Sequence, residues 1–335
     1  MAEKVAVIGA GGWGTALALV LNENGQTVTI YEYFNTYAKH LDKKRINTKF
    51  LPGIRIPDSV NITSDLSEAV KDAKIIVIAI PSKFVRGVLD LLKKSDIKKD
   101  VVILSVVKGI DTKTLERMSE IIKKKLGSKT KLAVLSGPSH AEEVGRKMPT
   151  AVIVASGNSK IANYLQNIFS NKYFRVYTSK DVVGVELGGA LKNVIALSKG
   201  ILDGMKLGDN TKAALLTRGM AEMKRLALKL GAKSETLNGL AGFGDLIVTC
   251  MSPHSRNRSV GERIGRGEKL SSILNSMDMV AEGVTTSEAV FKLAKKEKVD
   301  MPIVAETYGV LFKQNNPKKA VYNLMKRKLK KEEIF

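Results

Sequence analysis

Apolar residues fall in two textures along this 335-residue chain. In the first half, short apolar runs alternate with amphipathic stretches. Val5–Ile8 reads as a strand, Thr15–Asn22 as a helix, Thr27–Tyr31 as a second strand and Asn35–Lys44 as a second helix. Pro52-Gly53 and Pro57-Asp58 mark loops, Val60–Thr63 a short strand and Asp65–Lys71 a short helix. Ile75–Ile80 is a largely β-branched run halted by Pro81, as in strands buried on both faces of a parallel sheet. Helix Lys83–Lys94, strand Val101–Val106, helix Leu115–Leu126, strands Lys131–Leu135 and Ala151–Val154, helix Lys160–Ser170 and strand Phe174–Tyr177 follow. This order predicts a doubly wound α/β domain over residues 1–179.

Strand-like runs then nearly vanish. Gly184–Met205, Ala213–Leu230, Val260–Ile264, Ser271–Ser276, Thr285–Glu297, Ile303–Phe312 and Lys318–Lys328 read as helices. Gly204–Asp209 and Leu237–Asp245 read as loops. The expectation is an all-helical domain over residues 180–335. In open α/β sheets, ligands gather beside the carboxyl ends of the strands, so candidate chemistry is sought there.

The first strand runs directly into Gly9-Ala10-Gly11-Gly12-Trp13-Gly14. Gly-x-Gly-x-x-Gly between a strand and a helix suits a dinucleotide pyrophosphate. Gly9 serves the tight turn, Gly11 the close approach of backbone to phosphate, and Gly14 the packing of helix on strand. A signal-peptide core is the competing reading of residues 5–21. Lys4 alone precedes the run and offsets Glu3, and the repeated glycines do not suit a membrane helix. Glu32 closes the second strand, where a carboxylate accepts from a ribose 2′-OH and repels a 2′-phosphate. NAD is therefore expected over NADP, although Glu32 also fits an ordinary surface position.

The formal charge of +22 attracts polyanions and small phosphorylated metabolites alike. The tail Lys326-Arg327-Lys328-Leu329-Lys330-Lys331 ends in Glu332-Glu333 and lacks interleaved aromatics, so specific nucleic-acid binding is not expected. The apolar runs are too short to span a bilayer. One cysteine, Cys250, suits a reducing, cytoplasmic setting. His40, His140 and His254 are too scattered for a zinc site, and no metal is expected. Neither a Walker A sequence nor Gly-x-Ser-x-Gly occurs.

Lys192 lies in Gly188-Gly189-Ala190-Leu191-Lys192-Asn193-Val194-Ile195-Ala196, a helix apolar almost all round and so buried. Burial lowers an amine toward the range of a general base. The small neighbours Gly188, Gly189 and Ala196 leave room for a ligand, although a snorkelling lysine fits as well. Lys108 follows a strand end, in a place that suits a phosphate or hydroxyl contact or a plain surface loop. Ser136-Gly137-Pro138-Ser139 follows another, with Ser139 placed to cap a helix near Ala141. Asp245, after three glycines in Gly239–Gly244, reads either as an orienting carboxylate or as a cap for Leu246–Met251. Ser255-Arg256-Asn257-Arg258 precedes Ser259–Glu262, which fits a capping box. Arg256 and Asn257 at such a helix start would hold a phosphate.

Together, these ordered segments resemble the soluble bacterial-type NAD(P)-dependent glycerol-3-phosphate dehydrogenases over nearly the whole chain. The resemblance implies interconversion of dihydroxyacetone phosphate and sn-glycerol 3-phosphate, supplying phospholipid synthesis, in a cytoplasmic homodimer. It makes Lys192 the acid–base residue, with Asp245 and Lys108 beside it. Lys108, Asn193, Asp245, Ser255, Arg256 and Asn257 would line the substrate site, with Gly137 and Ser139 nearby. Trp13, Tyr33, Lys108, Ala141, Arg256, Val280 and Glu282 would contact the cofactor, NAD or NADP. Gly12 stands where many relatives carry Ser, and Glu32-Tyr33 departs from the pattern of NADPH-preferring relatives. A related β-hydroxyacid dehydrogenase acting on another small anion, and a non-catalytic NAD-sensing polyanion binder, are the alternatives.

Overall fold

The computed structural model describes residues 2–277, 279–329 and 331–332. Lys330 and Glu333 of the basic tail lie outside them. The chain divides into two compact units, one of Met1–Val107 and Arg117–Val182, the other of Lys108–Glu116 and Val183–Phe335.

The first unit is built on ten strands. They are β1 (Lys4–Ile8), β2 (Thr27–Tyr31), β3 (Ile46–Asn47), β4 (Leu51–Arg55), β5 (Asn61–Thr63), β6 (Ile75–Ile78), β7 (Val102–Ser105), β8 (Lys131–Ser136), β9 (Thr150–Ala155) and β10 (Phe174–Ser179). Eight form one sheet in the order β10-β9-β8-β7-β6-β1-β2-β5. All neighbours in it are parallel except β8 and β9. Seven helices serve this unit: α1 (Gly12–Glu23), α2 (Asn35–Lys44), α3 (Leu66–Val70), α4 (Val85–Leu92), α5 (Met118–Leu126), α6 (Ala141–Gly145) and α7 (Ser159–Phe169).

Alternate residues of the central strands point to opposite faces, and both faces are covered. Val5, Val7, Ile75 and Val77 pack with Leu17 and Leu21 of α1 and Leu165 and Phe169 of α7. Ala6, Ile8, Ile76 and Ile78 pack with Leu89 of α4 and Ile121 and Ile122 of α5. Two-sided burial is why these strands read as unbroken apolar runs. Strand order reverses around β1, with β2 on one side and β6 on the other. The Gly9–Gly14 loop leaves β1 at that switch point, the usual ligand position in such sheets.

Three local expectations change. Pro52 and Gly53 lie within β4, which forms a small antiparallel hairpin with β3. Strands β3 and β4 form a two-stranded sheet apart from the main one, where a proline costs no central ladder bond. Strand β6 stops at Ile78, two residues short, where Gly9 crosses Ala79. Helix α5 starts at Met118 rather than Leu115, because Leu115 takes a left-handed backbone with φ 62°.

The second unit is helical: α8 (Val182–Gly204), α9 (Asp209–Lys229), α10 (Ser234–Asn238), α11 (Asp245–Met251), α12 (Arg256–Gly265), α13 (Leu270–Asn275), α14 (Glu282–Lys296), α15 (Pro302–Phe312) and α16 (Pro317–Met325). Its centre is α8, buried from Gly184 to Leu202. The expected 237–245 loop is instead α10 followed by a π-type turn at Leu240–Gly244. Buried Glu222 accepts the backbone N–H groups of Ile303 and Val304 at 2.7 and 3.2 Å, closing the start of α15. Burial pushes its carboxyl up to about 7 against those two bonds. No helix among the described residues is long and apolar enough to cross a membrane.

Helices α8 and α12 meet backbone to backbone. A Cβ on Gly200 would stand 2.1 Å from the Arg258 carbonyl oxygen, and one on Gly204 2.1 Å from that of Glu262. Conversely, a Cβ on Gly261 would stand 2.0 Å from the Leu197 oxygen, and one on Gly265 2.2 Å from that of Ile201. The crossing is tied by Asp203, which accepts from Lys199 at 2.7 Å and from Arg258 at 2.8 Å. Gly200→Ala is expected to destabilise the protein by about 1–3 kcal/mol through overpacking. Gly87→Ala, on the exposed face of α4 with open space at its Cβ position, should instead stabilise by about 0.5–1 kcal/mol. Denaturant midpoints of the two variants check both signs.

Candidate active site

In the first unit, Gly9 has φ 113°, and a Cβ there would meet the Ala79 oxygen at 2.6 Å. A Cβ on Gly14 would lie 2.0 Å from the Gly9 oxygen. Both glycines therefore let α1 begin directly against the end of β1. Gly11 caps α1, and its Cβ position faces open space. The first N–H groups of the helix have no intrahelical acceptor, so this open side is a cradle for an anion. Gly12 is packed instead: a Cβ would stand 2.5 Å from the Phe50 oxygen and 3.5 Å from the Ala141 side chain. Serine at this position would require the Phe50 backbone to move.

Glu32 is buried at the end of β2 and accepts the Phe34 N–H at 3.1 Å. Burial raises its pKa, and backbone N–H groups of Phe34 and Ala10 oppose that rise. Tyr33 is exposed, edge-on to Phe34. Trp13 packs into the core, its ring 6.4 Å from that of Phe174. Ser139 does not cap α6. His140 occupies the cap position, and the Ser139 hydroxyl turns back to the Gly137 carbonyl at 3.0 Å. Sequence reasoning missed Asn47, which is fully buried. Its amide donates to the Ala10 carbonyl and to Thr15 Oγ1, both at 2.8 Å. Its oxygen accepts from Tyr37 and from the Phe50 N–H. Both its donors thus fix the glycine loop and the start of α1, and its oxygen ties them to Tyr37 and Phe50.

In the second unit, three predicted residues converge. Asp245 Oδ1 lies 2.8 Å from Lys192 Nζ, and Oδ2 lies 2.7 Å from Lys108 Nζ. The carboxylate is 1% exposed, the Lys192 side chain 7% and the Lys108 side chain 18%, so two amines share one carboxylate largely away from water. Burial alone would raise the Asp245 pKa. The charges of Lys108 and Lys192, with their hydrogen bonds, outweigh it and hold the carboxyl below its ordinary range. For Lys192, burial dominates and the Lys108 charge adds to it, while Asp245 opposes them; the amine is lowered to about 8. Thr249 was also missed. It stands one turn after Asp245 on α11, accepts from the Lys192 amine and donates to Asp245 Oδ1 at 3.3 Å. Its spacing of four from Asp245 was the available signal.

The space beside Gly188 is not left for a ligand. A Cβ there would meet the Ala241 oxygen at 2.5 Å, so the glycine admits the segment that delivers Asp245. Asp245 is the first residue of α11 and spends its carboxylate on the lysines and Thr249. Asn193 donates to the Lys108 carbonyl at 3.1 Å and accepts from Asn257 Nδ2 at 2.9 Å. Asn257 Oδ1 accepts the Gly283 N–H at 2.8 Å. Helix α12 begins one turn earlier than its sequence pattern suggests. Ser255, not Ser259, is the cap, and its hydroxyl accepts the Arg258 N–H at 3.2 Å. Arg256 and Asn257 therefore occupy the first turn. Exposed Arg256 donates to the Val280 carbonyl at 3.0 Å, near Glu282 at the start of α14.

A glycine-cradled Rossmann-type sheet and a helical unit holding a buried amine on a carboxylate are the parts of a nicotinamide-dependent dehydrogenase. Residues 4–162 match the model of the NAD-dependent glycerol-3-phosphate dehydrogenase N-terminus, and residues 181–322 that of its C-terminus. A Chlorobium phaeobacteroides protein named glycerol-3-phosphate dehydrogenase (NAD(P)+) is 46% identical over 98% of this chain and 99% of its own. One of that name from Geobacillus kaustophilus is 49% identical over 98% and 96%. The crystal structure of glycerol-3-phosphate dehydrogenase from Coxiella burnetii superposes with a TM-score of 0.94 at 37% identity, covering 97% of this chain and 99% of that one. The chain belongs to the NAD-dependent glycerol-3-phosphate dehydrogenase family.

Asp245→Asn leaves two lysines on a neutral amide. It should cost about 3–5 kcal/mol in denaturant unfolding, as when a buried ion pair loses one partner. It should also move the Lys192 pKa below about 8, because the one strong raising influence is gone. Side-chain NMR titration of the lysine checks the direction.

Proposed function

We propose that this chain interconverts dihydroxyacetone phosphate and sn-glycerol 3-phosphate, with Lys192 as its acid–base residue. The observation that carries the reading is the buried Lys192 amine held 2.8 Å from the Asp245 carboxylate, where burial lowers it to about 8. A general acid or base works best with a pKa near the working pH. Bound nicotinamide dinucleotide supplies or accepts the hydride. Lys192 gives its proton to the carbonyl oxygen in reduction and takes the hydroxyl proton in oxidation. Asp245 holds the amine in place and keeps it charged at neutral pH. Lys108, on the other carboxylate oxygen, adds positive charge beside the reacting oxygen. Arg256, at the start of α12 with the free helix N–H groups, anchors the phosphate. Ser255 and Asn257 set the position of that turn.

The same proposal gives residues 1–179 the cofactor and 180–335 the substrate. In the first, Gly9, Gly11, Gly12 and Gly14 receive the pyrophosphate, and Glu32 favours NAD over NADP. Trp13, Tyr33, Ala141, Val280 and Glu282 complete the cofactor contacts, and Gly137, Ser139 and Asn193 the surroundings of the substrate. The open Cβ position of Gly11 supports a phosphate there. Resemblance to the family supports a cytoplasmic homodimer. Initial rates with dihydroxyacetone phosphate and each reduced nicotinamide test the reading; turnover of carboxylate hydroxy acids alone would replace it with the β-hydroxyacid alternative.

Lys192→Ala should lower turnover by about 10²–10⁴-fold with NADH affinity, measured by fluorescence titration, nearly unchanged. In the unaltered enzyme, reduction needs the charged amine. Its rate should therefore hold below about pH 8 and fall above, while oxidation should rise toward about 8 and level off. Arg256→Ala should raise the Michaelis constant for dihydroxyacetone phosphate far more than it lowers turnover; an unchanged constant would remove the anchor.

A further inference from the structure

Residues 317–331 carry seven basic side chains and no acidic one: Lys318, Lys319, Lys326, Arg327, Lys328, Lys330 and Lys331. Helix α16 sits within this stretch. Its inner side is committed, with Ala320 buried and Val321 and Leu324 packed on the core. Its outer side is not polar throughout. Tyr322 is 54% exposed, Met325 79%, and Leu329 just beyond the helix 95%. Tyr322 and Met325 are three apart and share a helix face. The Lys326 amine lies 4.6 Å from the Tyr322 ring centroid, so charge and apolar surface are interleaved. Arg327 is held by Asp300 at 2.7 Å, while Lys318, Lys319, Lys326 and Lys328 make no ion pair among the described residues.

We propose that this face docks on an anionic lipid bilayer. The cations would lie at the headgroup phosphates, and Met325 and Leu329 would enter the acyl boundary with Tyr322 at the interface. A nucleic acid would use the cations but leave Met325 and Leu329 in water. A second copy would set seven cations against seven. An anionic membrane satisfies both features, and the net charge of +22 draws the protein toward it at long range. Contact of this kind is interfacial and reversible, and needs no spanning helix.

The test is co-sedimentation of the full chain with vesicles of phosphatidylglycerol and phosphatidylcholine, against phosphatidylcholine alone, at low and high salt. Binding to the anionic vesicles should exceed that to neutral ones by at least about tenfold and fall as salt rises. Lys326→Glu with Lys328→Glu, and separately Met325→Ser with Leu329→Ser, should each lower binding about tenfold while turnover of the soluble substrate stays unchanged. Absent binding, or equal binding to neutral vesicles, overturns the proposal. So does loss of binding in the charge variant alone, the mark of general polyanion contact. A change of oligomeric state in the Met325/Leu329 variant, seen by sedimentation velocity, would make the face a subunit contact and overturn it too.

Discussion

The site depends on one carboxylate shared by two amines. Asp245 stands almost out of water between Lys192 and Lys108, and each oxygen serves one of them. Without it, two ammonium groups would face each other in a place that solvates neither, and one would lose its proton. With it, the charge of Asp245 opposes the burial that lowers the Lys192 amine, which stands at about 8. Much of the second unit serves this arrangement. Helix α8 is buried along nearly its whole length to bring Lys192 inside. Gly188 lets the Ala241 backbone come close enough for α11 to start at Asp245. The π-type turn that precedes α11 is a costly local geometry of the kind that gathers at functional sites.

Both units make the same physical choice, contact of backbone with backbone where side chains would keep elements apart. In the first, Gly14 against Gly9 seats the start of α1 on the end of β1, and Asn47 pins the loop by donating to Ala10 and Thr15. In the second, glycines spaced four apart on α8 and on α12 interlock. Helix α8 carries Lys192 and Asn193, and α12 carries Arg256 and Asn257. The Asn193–Asn257 hydrogen bond therefore spans a junction already held by packing.

The fold was largely legible in the sequence, and so was the burial of Lys192. Continuous apolar runs report burial on two faces, which led correctly to the covered sheet and its helices. They carry no information on direction, so the antiparallel β8–β9 pair was not foreseen. The β3–β4 hairpin was hidden because Pro52 and Gly53 look the same in a loop and in a strand outside the main sheet. Two serines competed to cap α12, and the one that won also lets Arg256 and Asn257 enter the first turn. The meaning of Gly188 could not be read locally, since it is set by a segment some fifty residues away. Thr249 and Asn47 act only through partners that the fold brings to them.

The α8–α12 junction bears on how such a scaffold can diversify. Contacts made through main-chain atoms have no rotamers to readjust, so neither helix can tilt or slide to suit a bulkier or smaller substrate. Variation in this architecture is left instead to side chains projecting beyond the lock, as in the opening turn of α12. Two helices that resist remodelling thereby confine inventive mutation to the rim, and leave the Lys192–Asp245 pair undisturbed while the rim changes.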